Sequence, residues 1–176
     1  LIQELLQMEQ TILKKHEKLK TKIETFTKTL EEEDKVNCQI TATLPTITLY
    51  ITSNGGYVYQ ALNAIDTIKS IKVPVNTVCK GIVASAGTLL SLAGKKRFIT
   101  PNAYMMIHEL RSGCYGKYTY LTESLTNSTQ LMNHIKEMYL ANTKIPEKKL
   151  IKYLKKDVYW NAQRCLDKGL VDEILS

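Results

Sequence analysis

Hydrophobic positions recur along this chain at two spacings, first every seven residues and then in short β-branched runs separated by helical patterns. Residues 1 to 33 contain no Gly or Pro. Leu5, Ile12, Leu19 and Phe26 recur every seven residues, and Ile2, Glu9, His16, Ile23 and Leu30 form a second row. This spacing predicts a long amphipathic helix with a coiled-coil-like seam that is polar at two positions. Such a seam must lie on the body of the protein or on a neighbouring subunit. His16 within it reads as a packing residue. The acidic cluster Glu31 to Asp34 marks the expected helix end, and residues 35 to 46 read as a loop or irregular strand ending near Pro45.

Beyond Pro45 the pattern alternates. "ITLYIT" (47–52) reads as a buried strand, and Val58, Ala61, Leu62, Ile65 and Ile68 follow at helical spacing. "VPVNTVC" (73–79) is the next strand, with Pro74 near its start. "ASAGTLLSLAG" (84–94) is rich in small residues and reads as a helix closed by Gly94. "RFIT" and "AYMMI" (103–107) are further strands. This alternation predicts an α/β layer with mainly parallel pairing. After a loop at 110–118, Leu121, Leu125, Ser128, Met132, Ile135 and Tyr139 define a long helix. It is too long for a small sheet to cover, so an oligomer contact is the economical expectation. Pro146 suits the first turn of a lysine-rich helix. Asn161 is the expected N-cap of 162–168, with Gly169 as its C′ residue.

Composition narrows the function classes. The 176 residues carry a net charge of +7 and are 44% hydrophobic, which fits one domain with or without an appendage. Residues 144 to 156 hold six Lys and one Glu, so part of the excess is one local surface. That stretch has no Arg and only Tyr153 interrupts it, which argues against a nucleic-acid reader and for a solvated helix face. No stretch approaches the ~20 apolar residues that span a bilayer. No signal-peptide pattern stands out, although the chain begins without Met. Cys38, Cys79, Cys114 and Cys165 show neither C-x-x-C nor zinc-site spacing, so they read as reduced thiols in a cytosolic-type compartment. No metal or cofactor is expected.

Three separated residues carry candidate chemistry. Ser85, in "GIVASAG", falls directly after a strand and at a helix start, where small neighbours permit a sharp turn and an exposed hydroxyl. The segment lacks the first glycine of G-x-S-x-G, and a structural N-cap serine would look similar. His108 ends an apolar strand and could equally be an edge residue. Asp157, in "KKDVYW", would alone be a surface acid. Together they supply a nucleophile, a base to deprotonate it and a carboxylate to hold the imidazole. "SNGG" (53–56) and the amide following the serine could offer two N–H donors to an oxyanion.

Three blocks then carry a family resemblance. "LYITSNGGYV" resembles the "YINSPGG" segment of the ClpP family, the proteolytic subunits of Clp proteases. "GIVASAGTLLSLAGKKRFITPNAYMMIHE" is similar to that family's nucleophile and histidine block, and "DVYWNAQRCLDKGLVDEIL" to the block around its aspartate. The resemblance spans residues 47 to 176 in family order. It implies a spiral of β-β-α units related to the crotonases and a protruding handle helix at 119–142, so the chain is expected to divide into the long amphipathic helix read from the heptads (1–36), which stands where the family has axial loops and a first strand, and a peptidase domain (37–176). It implies Ser85 as nucleophile, His108 as base and Asp157 as orienting acid. Gly56 and Ala86 match the oxyanion donors, while Val58 and Arg111 match positions flanking a substrate strand. Implied partners are unfolded polypeptides, further copies of the chain in one or two heptameric rings, and a ring ATPase of the Hsp100 type. Implied localisation is cytoplasmic, with an organellar stroma or an infected host cell as alternatives.

Departures are also present. Asn54 stands for a proline, "ELRSG" (109–113) for "QPLGG", and Lys156 for an arginine beside the acid. Lysine lacks the bidentate fork of arginine. The family's axial loops are not visible, which weakens the case for ATPase docking. Two alternatives stand beside a serine endopeptidase: a catalytically silent ring subunit, and a crotonase-like acyl-CoA enzyme.

Overall fold

A computed structural model describes residues 1–29 and 43–175. The side chain of Phe26, Leu30, the helix end at Glu31–Asp34, Cys38 and most of the expected 35–46 connection lie outside the described residues.

The heptad spacing folds as predicted into helix α1 (Ile2–Thr29). Its seam is used unevenly. Leu5 is buried, with Ile12 and Leu13 packed beside it, against Ile47, Ile68, Val73 and Val75 of the body. Burying a leucine of this kind contributes about 2 kcal/mol. Glu9, a polar seam position, accepts the backbone N–H of Lys72 at 2.5 Å. Its carboxylate therefore ties the helix to the body. Leu19 departs from the expectation, being 48% exposed.

The β-branched runs form a six-stranded sheet. Strand β1 (Ile47–Ser53) leads through helix α2 (Val58–Ser70) to the long strand β2 (Val75–Ala84). Helix α3 (Ala86–Ser91) and strands β3 (Arg97–Ile99) and β4 (Tyr104–Met106) follow. Then come helices α4 (Tyr118–Asn142) and α5 (Glu147–Leu154), strand β5 (Tyr159–Asn161), helix α6 (Ala162–Lys168) and strand β6 (Glu173–Ile174). Strand β1 runs parallel along one edge of β2. The other edge takes β3 at Thr77–Cys79 and then β4 at Ile82–Ala84, both parallel. Among the described residues only the pairing of β5 with β4 is antiparallel. This is the mixed α/β fold with mainly parallel strands that the alternation predicts.

Three expectations need correction. The run at 47–52 is not buried on both faces. Its burial alternates, Tyr50 is exposed, and among the described residues it pairs with β2 alone. Strand β2 continues well past Cys79, through a register shift at Gly81 (φ +59), to Ala84. Helix α3 is shorter than 84–94, and Gly94 is not a left-handed cap. It is glycine because a Cβ there would stand 2.4 Å from the Thr77 hydroxyl.

Other punctuation matches its physical reading. Asn161 Oδ1 accepts from Arg164 N, capping α6, and Gly169 closes it at φ 72. Pro146 sits one residue before α5, and its carbonyl accepts from Lys149 and Leu150. The lysines of 144–156 are all exposed, while Leu150 and Leu154 face the core. Cys79 and Cys165 are buried, and burial pushes their thiols up to about 11 and about 12. They are packing residues, as expected, whereas Cys114 is exposed. Among the described residues no helix is long and apolar enough to cross a membrane.

A clamp closes the C-terminal end. Arg97 pairs with Asp172 through Nη2 at 2.5 Å and Nε at 3.2 Å, and its Nη1 donates to the Asn142 carbonyl at the end of α4. Burial raises the Asp172 carboxyl, but the hydrogen bonds from Arg97 and the charges of Arg97 and Lys144 outweigh it and leave it below its ordinary value. Asp172→Asn is expected to cost about 1 kcal/mol near neutral pH, since the carboxylate is partly exposed. A carboxyl with a depressed folded pKa stabilises above the unfolded value and loses that stabilisation as pH falls through the folded one. The gap between variant and parent in urea unfolding should therefore close in acid.

Candidate active site

Sheet register assembles the site. Strands β1, β2 and β4 run parallel, so their C-terminal ends lie side by side, where loops of an α/β sheet gather functional groups. Ser53 pairs with Val83, and continuing that register sets Gly55 beside Ser85. Ala84 pairs with Met106, which brings Ser85 next to the residues that follow β4. Met106 pairs antiparallel with Tyr159, so two further steps place His108 opposite Asp157. Three residues far apart in sequence thus meet because one sheet edge ends there.

The turn at Ser85 is strained. Its φ of 56° and ψ of −124° lie where residues with a Cβ rarely sit, a cost of about 1–3 kcal/mol. Surrounding hydrogen bonds enforce it. Ser85 N donates to the Met106 carbonyl at 2.9 Å, and the Ser85 carbonyl accepts from Thr88 N at 3.0 Å. The buried Thr88 hydroxyl lies 3.1 Å from both the Val83 and Met106 carbonyls, bracing β2 against β4. Small neighbours are required as well. A Cβ on Gly87 would press on Ser53 at 3.1 Å, and one on Gly55 would meet Ser85 Cβ at 2.6 Å.

The hydroxyl this turn presents is engaged. Ser85 Oγ lies 2.7 Å from His108 Nε2. Nε2 accepts the hydroxyl proton when the ring carries its own on Nδ1, the side facing Asp157. His108 Nδ1 is 3.7 Å from Asp157 Oδ1, close enough for charge but longer than a hydrogen bond. The other carboxylate oxygen, Oδ2, is bound by Arg111 Nη2. Burial lowers the His108 pKa from its ordinary value; Asp157 opposes this, Arg111 adds to it and Glu109 opposes it. A neutral imidazole at neutral pH follows, the form able to accept a proton.

Around this pair lies a cleft of about 450 Å³. Gly56, Val58, Ser85, Ala86, His108, Arg111 and Asp157 all line it, so every residue singled out in the sequence falls on one cavity. Ile135 and Tyr139 of α4 also line it. Ala86 is the first residue of α3, where a backbone N–H has no intrahelical acceptor. Gly56 differs from the sequence-based reasoning in one respect. A Cβ there would meet nothing within 4 Å, so the chain itself makes no steric demand for glycine at that position. The demand falls on Gly55. Two features were not foreseen, the attachment of Arg111 to Asp157 and the bracing by Thr88. Arginine at 111, where the similar family has an apolar residue, was the available signal for the first.

A strained serine at the end of a parallel strand, in contact with a neutral histidine and with a carboxylate behind it, has the parts for acyl transfer through an activated hydroxyl. Comparison with known proteins specifies the class. The family described as Clp protease matches residues 36–176, and the chain belongs to that family. An ATP-dependent Clp protease proteolytic subunit of Deinococcus radiodurans is 33% identical over 131 residues, which is 73% of this chain and 64% of the relative. One of the same description from Dehalococcoides mccartyi is 34% identical over 131 residues, 73% of this chain and 66% of its own length. The match thus spans a little under two thirds of these curated relatives.

Proposed function

We propose that the protein is a serine endopeptidase of the ClpP type, cutting unfolded polypeptides inside an oligomeric chamber. The observation that carries this reading is the 2.7 Å contact between Ser85 Oγ and His108 Nε2 at a strained strand-to-helix turn. In the proposed reaction Ser85 Oγ attacks the peptide carbonyl carbon while His108 Nε2 takes its proton. His108 then gives that proton to the leaving amine, and water attacks the acyl-enzyme by the same route in reverse. Asp157 steadies the imidazolium, for which the 3.7 Å gap to Nδ1 must shorten. The backbone N–H groups of Gly56 and Ala86 hold the oxyanion, and Val58 and Arg111 flank the bound peptide.

The chamber rests on family membership and on α4. Its buried residues, Ile135 and Tyr139, lie toward its C-terminal end, while Tyr118, Tyr120, Leu121 and Leu125 near the other end are exposed. Such an apolar stretch fits contact with further copies of the chain. The relatives' ATP dependence supports delivery of substrate by a ring ATPase. A cytoplasmic site of action follows from the same resemblance.

The direct test is an active-site fluorophosphonate. Labelling of the native protein and none of Ser85→Ala is the expected result, with sedimentation of the same samples giving a multi-subunit particle. Equal labelling of both proteins would remove the assignment of Ser85.

A further inference from the structure

Asp157 is an unusual orienting acid because it is half exposed and sits in the short segment between α5 and β5. A carboxylate free to rotate in water is a poor partner for an imidazole, since each rotation loses the orientation that catalysis needs. Here one neighbour restrains it. Arg111 Nη2 binds Oδ2, leaving Oδ1 as the oxygen nearer His108 Nδ1. Arg111 belongs to the same segment as His108, which follows β4. That segment is itself anchored, with Glu109 N donating to the Leu154 carbonyl at 2.7 Å and Leu110 N to Met132 Sδ at 3.3 Å. The Leu154 contact ties the His108 segment to the last residue of α5, close to where Asp157 emerges.

We propose that Arg111 is a positioning residue, fastening Asp157 so that its free oxygen faces His108. This rests on the peptidase reading above and adds to it a second role for Arg111, exerted through the acid and separate from its place beside the bound peptide. The guanidinium takes over the restraint that burial would otherwise supply. Its planar fork suits a carboxylate better than a lysine's point charge does. The Arg111 side chain is 71% exposed, so the fastening should weaken with salt. The charged groups facing His108 are Asp157, Arg111 and Glu109.

The test is the rate of fluorophosphonate labelling of Ser85 in the full chain, measured for the parent, Arg111→Ala, Arg111→Lys, Asp157→Asn and the double variant Arg111→Ala/Asp157→Asn. Arg111→Ala is expected to slow labelling by roughly ten- to a hundredfold, the scale of a small misplacement of a catalytic group. Arg111→Lys should recover part of the loss. In the Asp157→Asn background the same alanine substitution should change little, because the group it positions is gone. An equal loss in both backgrounds would overturn the proposal and make Arg111 a direct contact to the probe. Faster labelling of Arg111→Ala would also overturn it, as would no change. Failure of the peptidase reading looks different, since the parent itself would then not be labelled. In that event the His108 ring titration followed by NMR carries the test. The charge of Arg111 also acts on His108 directly, so an Arg111→Ala shift whose size changes in the Asp157→Asn background supports the fastening, and one equal in both backgrounds rejects it.

Discussion

His108→Ala is expected to lower kcat by about a millionfold, as far as losing the serine itself would, because nucleophile and base act as one unit. Without the imidazole, the Ser85 hydroxyl has no acceptor at 2.7 Å and attacks as a neutral alcohol. Binding should survive, so a peptide that occupies the cleft would still be held while turnover vanished. The pH profile of the parent follows from the same ring. Protonation of Nε2 abolishes proton acceptance, so kcat/KM rises with pH through the His108 pKa. Burial sets that pKa below the ordinary 6.5, with Asp157 pulling upward, Arg111 downward and Glu109 upward. The acid limb of the profile should accordingly lie below that value, with the enzyme already more than half competent there. A midpoint well above it, or an alanine variant with ordinary turnover, would remove His108 from the role of base.

Much of this site is legible in the sequence, and the reason is sheet periodicity. The runs at 47–52, 73–79 and 103–107 establish parallel strands, and parallel strands end together. His108 and the glycines at 55–56 fall just past such ends, and Ser85 joins them because β2 continues beyond the predicted run to Ala84. Asp157 reads alone as a surface acid and gains a role only beside Ser85 and His108 and through the family resemblance. Its place depends on an antiparallel pairing of three residues that is too short to leave a pattern. Arg111 matches a position flanking a substrate strand only through the family resemblance, and its bond to Asp157 depends on how an irregular segment runs, since loops carry no periodicity. The surface of α1 shows a related limit. A heptad seam says which face is apolar, not how far the body extends beneath it, and Leu19 lies where cover among the described residues ends.

The roles of the paired glycines can be separated by Gly55→Ala, expected to damage both stability and the site. Two penalties coincide there. Gly55 has φ +100, a conformation that costs an alanine about 1–2 kcal/mol. The added methyl would also stand 2.6 Å from Ser85 Cβ and 3.0 Å from the Ala84 carbonyl, neither of which can yield freely. Ser85 is already held at an unfavourable backbone angle by hydrogen bonds to β4 and α3, so relief must come from moving the β1 end or the serine turn. Either motion disturbs the 2.7 Å contact with His108. A loss of about 2–4 kcal/mol in stability is expected, together with at least a hundredfold drop in labelling rate for the fraction that folds. Gly56→Ala is the control, because a methyl there meets nothing within 4 Å. It should leave the melting temperature within a few degrees of the parent. If its amide holds the oxyanion, the methyl enters the substrate's space and only turnover falls. Equal stability losses at the two positions would refute the separation, since only Gly55 is pressed against the chain.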